Sequence, residues 1–141
     1  MKISVYYYTR SGNTKKLADA VAKAVGVTAE EIKTPLSEKC DIVFLGSSPY
    51  AFDVDPAVKE FIEKNRENIG TLVCFGTSAS GMSTHKKIKA LSEKIGVKVD
   101  SEYYNCYGHF LALHKDRPNE SDLKEVSEFA KSVVAKLTKQ A

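Results

Sequence analysis

Two short, continuous apolar runs limit what this chain can fold into. Residues 41–46 (DIVFLG) and 71–76 (TLVCFG) do not alternate polar with apolar residues after their first position. Strands that are buried on both faces have such sequences, and they belong to parallel sheets covered by helices. The sequence therefore predicts an α/β protein whose sheet lies between two layers of helices.

Strand-like and helix-like segments alternate along the chain. Further strands are predicted at residues 3–8, 27–33 and 97–106, and residues 27–33 are polar enough for an edge strand. Together the five segments favour a three-layer sandwich with a five-stranded parallel sheet in the order 2-1-3-4-5. The length of 141 residues predicts a single domain over residues 1–141.

Apolar residues at helical spacing predict four helices. The first covers residues 13–25, Pro56 begins the second, and the third carries its apolar positions between residues 88 and 95. Asn119 followed by Asp122 three positions later predicts a capped start for the last helix.

Three loops follow predicted strands at the edge where such sheets bind ligands. In the order 2-1-3-4-5 the connections of the first and third strands leave in opposite directions, and a crevice opens at their carboxyl ends. The loops at this edge are residues 8–14, 46–55 and 76–83.

The first of these loops has the composition of a phosphate site. Its hydroxyl and amide side chains are donors, Gly12 permits a tight curl, and the loop ends at a helix N-terminus, which attracts anions. Arg10 either holds a charge near the phosphate or points to solvent, and ordinary helix capping remains an alternative for the loop as a whole. The candidate phosphate-binding residues are Thr9, Arg10, Ser11, Gly12, Asn13 and Thr14.

Residues 2–22 (KISVYYYTRSGNTKKLADAVA) resemble the start of a flavodoxin. The phosphate loop of that family reads Thr/Ser-x-Thr/Ser-Gly-x-Thr, which Thr9, Ser11, Gly12 and Thr14 match in order. Residues 46–62, 74–81 and 103–123 are also similar to segments of the family, so the resemblance covers nearly the whole chain. It implies that the anion is the phosphate of FMN.

The second and third loops fit an isoalloxazine ring. Tyr50 and Phe52 can stack on it, and small residues in the third loop let the backbone approach its polar edge. The candidate residues of this slot are Ser47, Ser48, Pro49, Tyr50, Ala51, Phe52, Thr77, Ser78, Ala79, Ser80 and Gly81. Two departures from the family stand out: Phe52 lies where many members have glycine, so positive φ should be costly there, and the third loop has no aromatic residue.

The resemblance implies an FMN-binding electron carrier that serves redox partner proteins. A flavodoxin-like FMN-dependent oxidoreductase and a cofactor-free interaction protein remain open as alternatives. The net charge is only +3 and the lysines are scattered, which argues against nucleic acid, and no apolar run is long enough for a membrane helix. The odd number of separated cysteines fits reduced thiols in the cytoplasm.

Three other residues have alternative interpretations. Cys106 near the end of the fifth strand is expected to be a packing residue rather than a redox thiol, and Cys74 is expected to lie in the core. His85 is expected to be a solvated residue at the start of the third helix.

Overall fold

The computed structural model describes residues 1–141 and contains one five-stranded sheet. All neighbouring strands pair in parallel, in the order β2-β1-β3-β4-β5. The strands are β1 (Ile3–Tyr7), β2 (Ala29–Glu31), β3 (Cys40–Ser47), β4 (Ile69–Ser78) and β5 (Lys98–Tyr107). The predicted fold class and strand order are confirmed.

Four α-helices connect or follow the strands, and none has the length and apolar character that a membrane crossing requires. They are α1 (Asn13–Val25), α2 (Pro56–Asn65), α3 (His85–Lys94) and α4 (Glu120–Gln140), with a short 3₁₀ helix at Arg66–Asn68. Pro56 begins α2 as predicted, and Asp55 caps that helix by accepting from the Ala57 N–H. The predicted capping box of α4 is also present.

Strand lengths differ from the prediction in a way that shapes the ligand edge. β2 covers three residues rather than the predicted 27–33, because this polar edge segment pairs with β1 alone. β3 and β4 extend past residues 46 and 76, since Ser47 pairs with Gly76 and Ser78 pairs with Tyr107. Three candidate site residues, Ser47, Thr77 and Ser78, therefore lie on the last positions of strands.

The core consists of two apolar clusters, one on each face of the sheet. α1 and α4 cover the face that carries Tyr7, while α2 and α3 cover the face that carries Tyr6. Neighbouring residues of a strand point to opposite faces, which accounts for the aromatic run in β1. Phe44 is fully buried at the centre, and its replacement by alanine would cost about 3–5 kcal/mol.

Candidate functional site

Three hydroxyl groups meet where the loops after β1, β3 and β4 converge. The Thr14 Oγ1 lies 3.0 Å from the Ser48 Oγ and 3.1 Å from the Thr77 Oγ1, and the last two atoms are 2.9 Å apart. Thr14 and Thr77 are almost completely buried. The structure thus brings together one predicted site residue from each of the three loops.

The loop before α1 keeps the start of that helix open. Gly12 is the N-cap residue with a φ of 90°, and its N–H donates to the Thr9 Oγ1 at 2.9 Å. First-turn N–H groups have no acceptor within a helix, and in α1 only that of Asn13 has a side-chain partner, Ser11, at 3.5 Å. The first turn holds no acidic residue.

This open helix start fits the phosphate of FMN. A Cβ built on Gly12 would meet no atom within 4 Å, so space is available beside the backbone there. The helix dipole favours an anion at this end, and no carboxylate of the first turn competes with it. The starts of α2 and α4, in contrast, are already capped by Asp55 and Asn119.

Arg10 connects the first loop to the second. Its Nε donates to the Asp55 Oδ2 at 3.0 Å, and its guanidinium carbon lies 4.2 Å from the centre of the Tyr50 ring. The bond to Asp55 raises the pKa of Arg10 above its ordinary value. The Arg10 side chain is thus paired with Asp55 and covers one face of Tyr50, while 57% of it remains exposed to solvent.

Tyr50 and Asp53 close a two-residue turn at the tip of the second loop. Each N–H of this pair donates to the carbonyl of the other, at 2.8 and 3.0 Å. The two central residues, Ala51 and Phe52, have φ values of 51° and 62°. Phe52 therefore adopts the positive φ that is expected to be costly for it, because a tight turn of this kind requires positive φ at both central positions.

The aromatic side chains of this turn are available to a ligand. Phe52 is 75% exposed and Tyr50 is 48% exposed, although apolar rings of this size are usually covered. Lys87 fixes the turn from the side, because its Nζ donates to the Phe52 carbonyl at 2.8 Å. Since Arg10 covers one face of Tyr50, a flavin ring would stack on the other.

The loop after β5 lies against the first and third loops, and the sequence interpretation missed it. The Asn13 Nδ2 donates one of its two protons to the His109 carbonyl at 2.8 Å. A Cβ on Gly108 would come within 3.0 Å of that same Nδ2, so glycine permits the close approach. The Gly108 N–H donates to the Ser78 carbonyl, and the His114 Nε2 lies 3.1 Å from the Ala79 carbonyl.

This same loop presents large apolar side chains to solvent. Phe110 and Leu113 pair as a second tight turn, and Leu111 within it is 78% exposed with a φ of 55°. Five of the nine large exposed hydrophobic residues lie in the loops after β3 and β5. Three large apolar residues in a short polar loop (HFLAL) are the signal that could have identified this segment as part of the site.

The three residues with alternative interpretations are all buried. His85 is not solvated as expected: its Nε2 lies 2.8 Å from the Asp100 carbonyl, and its ring stacks on Tyr103 at 4.4 Å. Burial raises the pKa of the Cys106 thiol to about 12, so it holds its proton at neutral pH, as a packing residue does. Cys74 lies in the core as predicted.

Comparisons with known proteins agree with this architecture. An archaeal flavodoxin structure superposes with a TM-score of 0.78 at 19% identity, covering 98% of this chain and 99% of that one. The two-electron reduced flavodoxin of Megasphaera elsdenii gives a TM-score of 0.62 at 19% identity, with 92% and 98% covered. An uncharacterised protein of Methanocaldococcus jannaschii is 25% identical over 135 residues, which is 86% of this chain and 90% of that protein.

A family model described as a flavodoxin domain matches residues 4–138. That match includes β1 except for its first residue, the other four strands, and nearly all of α4. The structural likeness by itself establishes the fold, whereas the family match identifies the kind of protein. The chain belongs to the flavodoxin family.

Proposed function

We propose that this protein binds FMN at the carboxyl ends of β1, β3 and β4 and passes electrons to and from partner proteins through it. The observation that carries the proposal is the uncapped start of α1, which lies beside two loops with exposed aromatic and apolar side chains. The helix start can hold a phosphate, and the apolar side chains of the loops can hold a flat apolar ring. FMN supplies one- and two-electron transfer when bound.

The first loop would bind the phosphate dianion through hydroxyl and backbone N–H dipoles rather than through a positively charged side chain. Its only arginine, Arg10, is engaged with Asp55. Thr9 and Ser11 already accept from the N–H groups of Gly12 and Asn13, so their own hydroxyl protons remain available to phosphate oxygens. Neutral donors and backbone N–H groups can replace the water shell of an anion when they converge on it.

The hydroxyl ring holds the three loops at a fixed separation. Each of Thr14, Ser48 and Thr77 has one proton to donate, and three mutual bonds use all three protons. The ring is therefore complete without a ligand. A phosphate that accepts from the Thr14 hydroxyl would replace one of these three bonds. Phosphate binding at the first loop would therefore change the hydrogen bonding of Thr14 directly.

The ring slot would be formed by Tyr50 and the apolar side chains near it. Stacking on the free face of Tyr50 contributes roughly 0.5–1.5 kcal/mol beyond the burial of area. The exposed side chains of Phe52 and Leu111 keep water from the flavin when a partner covers this edge. The three free cysteines support a reducing compartment, the cytoplasm, as the location.

Titration of the purified protein with FMN, followed by absorbance, tests the proposal. We expect a shifted flavin spectrum with saturation at one FMN per chain, then reduction by dithionite and reoxidation by cytochrome c. A protein that leaves the FMN spectrum unchanged would be a cofactor-free member of the family. Turnover of a small organic substrate faster than cytochrome c reoxidation would favour an oxidoreductase instead.

A matched pair of variants shows whether the first loop is responsible. Ser11→Asp adds a carboxylate beside the open helix start, whereas Ser37→Asp adds the same charge at an exposed site elsewhere. Repulsion between carboxylate and phosphate should abolish FMN binding in the first variant only. Equal binding by both variants would place the phosphate outside this loop.

A further inference from the structure

A groove between α1 and α4 is lined by four exposed lysines. Lys16 and Lys23 project from α1, and Lys124 and Lys131 project from α4. The groove has a volume of about 660 Å³, and its floor includes the apolar side chain of Leu123 and two alanines of α1. It lies on the helical face that covers Tyr7, and its end nearest the start of α1 adjoins the first loop.

No carboxylate neutralises these lysines. None of the four takes part in an ion pair, although ten other lysines and arginines of the chain do. The single carboxylate in the groove is that of Asp19, and it pairs with Lys15 at 2.8 Å. The groove is therefore a concentrated positive patch on a chain of modest net charge.

The lysines form two matching rows. Each helix carries its pair seven residues apart, which is two helical turns or about 10.5 Å along the axis. Both helices begin at the carboxyl edge of the sheet, and the Ser127 Oγ donates to the Ala20 carbonyl at 3.4 Å between them. Two cationic rows thus flank a shallow apolar floor.

We infer that this groove docks an acidic, amphipathic helix of a partner protein. Carboxylates along both edges of such a helix would meet the two lysine rows, and its apolar stripe would cover Leu123 and the alanines. Nucleic-acid sites combine lysine with arginine and aromatic side chains. Neither arginine nor an aromatic side chain lines this groove, so its composition argues against a nucleic-acid partner. The charge and the floor together fit a protein segment.

Docking here would bring the partner close to the proposed flavin site. Lys16 follows Thr14 by two residues, so the upper end of the groove adjoins the first loop. That the docked protein is a redox partner rests on the proposed function. The binding of an acidic helix to the groove does not rest on it.

A fluorescein-labelled helical peptide tests the inference. The peptide has about 20 residues and is about 30 Å long. It carries glutamates on both sides of a stripe of alanine and leucine. The test variant carries Lys16→Gln, Lys23→Gln, Lys124→Gln and Lys131→Gln. The matched control carries Lys39→Gln, Lys94→Gln, Lys98→Gln and Lys139→Gln, which remove four exposed, unpaired lysines outside the groove. Both variants lose the same net charge.

Fluorescence anisotropy should show binding that weakens as salt is added. We expect the groove variant to lose about tenfold or more in affinity, the combined scale of several exposed ion pairs, and the control to change less than about threefold. Equal losses in both variants would overturn the inference, as would tighter binding of an oligothymidylate or of phosphatidylserine vesicles. FMN titration of the same samples separates this result from the proposed function, because either can fail alone.

Discussion

Thr14 is the residue at which the architecture and the proposed ligand meet. It belongs to the first turn of α1, yet its hydroxyl bonds to the loops after β3 and β4. We expect Thr14→Ala to weaken FMN binding by about 1 kcal/mol or more, because a charge-assisted donor is lost. Thr14→Ser keeps the hydroxyl and should retain affinity within about twofold.

Isothermal titration calorimetry with FMN measures both Thr14 variants. Their unfolding free energies, from urea denaturation, provide the control for general damage. If Thr14→Ala bound FMN as tightly as the unmodified protein, the hydroxyl would serve the loops alone.

Ala51 and Phe52 adopt a backbone conformation that suits glycine better than a residue with a side chain, and a role of the Phe52 ring in ligand binding would explain this. Both adopt positive φ, which is costly for side-chain-bearing residues, and Phe52 has little packing to offset it. The combined variant Ala51→Asn and Phe52→Gly installs the pair that this turn prefers. We expect its unfolding free energy to rise by about 1 kcal/mol, while FMN affinity falls because an exposed ring is lost.

Thermal denaturation and FMN titration of this turn variant report the two effects separately. Unchanged FMN affinity together with higher stability would mean that Phe52 serves a partner protein rather than the flavin. A loss of stability would show that the turn is held by contacts of the aromatic ring.

At the scale of elements, α4 depends on the charged cap at its start. The Arg117 guanidinium donates two bonds of 2.6 Å to the Asp122 carboxylate, which also accepts from the Asn119 N–H at 2.8 Å. Burial opposes ionisation of Asp122, but these hydrogen bonds outweigh it, and the pKa of the carboxyl lies below its ordinary value. The cap therefore stabilises the fold only while Asp122 is ionised.

Asp122→Asn should lower the unfolding free energy by about 2 kcal/mol at neutral pH, because Arg117 loses its partner and the helix loses a cap. The stabilisation by a carboxyl of lowered pKa is complete above the ordinary aspartate value of about 3.9 and is lost as pH falls through the folded value. The difference in unfolding free energy between the unmodified protein and Asp122→Asn should thus be constant from pH 7 to about pH 4, and it should shrink below about pH 4. Urea denaturation across this range measures it, and a pH-independent difference would contradict the assignment.

The elements that the sequence predicted best are those with a strong periodic signal. The buried strands β3 and β4 were found from their apolar runs, and α4 was found from its cap and apolar stripe. The edge strand β2 was placed correctly but made too long, because pairing with a single neighbour decides where an edge strand ends. No periodic signal marks the loop after β5.

At the scale of the whole molecule, the strand order determined which loops form the site, and the sequence was sufficient for the loops after β1, β3 and β4 but not for the loop after β5. It could not reveal which side chains pair across the loops. Asn13 and the His109 carbonyl are 96 residues apart, and Arg10 and Asp55 are 45 apart. Contacts of this kind depend on the final packing of five strands, so the engagement of Asn13 and Arg10 became evident only from the structure.

The proposed function depends above all on the open start of α1, which we propose to hold the phosphate of FMN. Isothermal titration with FMN and with riboflavin, which lacks only the phosphate, tests this role of the helix start. We predict binding of FMN and at least about tenfold weaker binding of riboflavin, since several charge-assisted bonds are lost. Equal affinity for the two flavins, or no binding of either, would show that the start of α1 does not hold the phosphate.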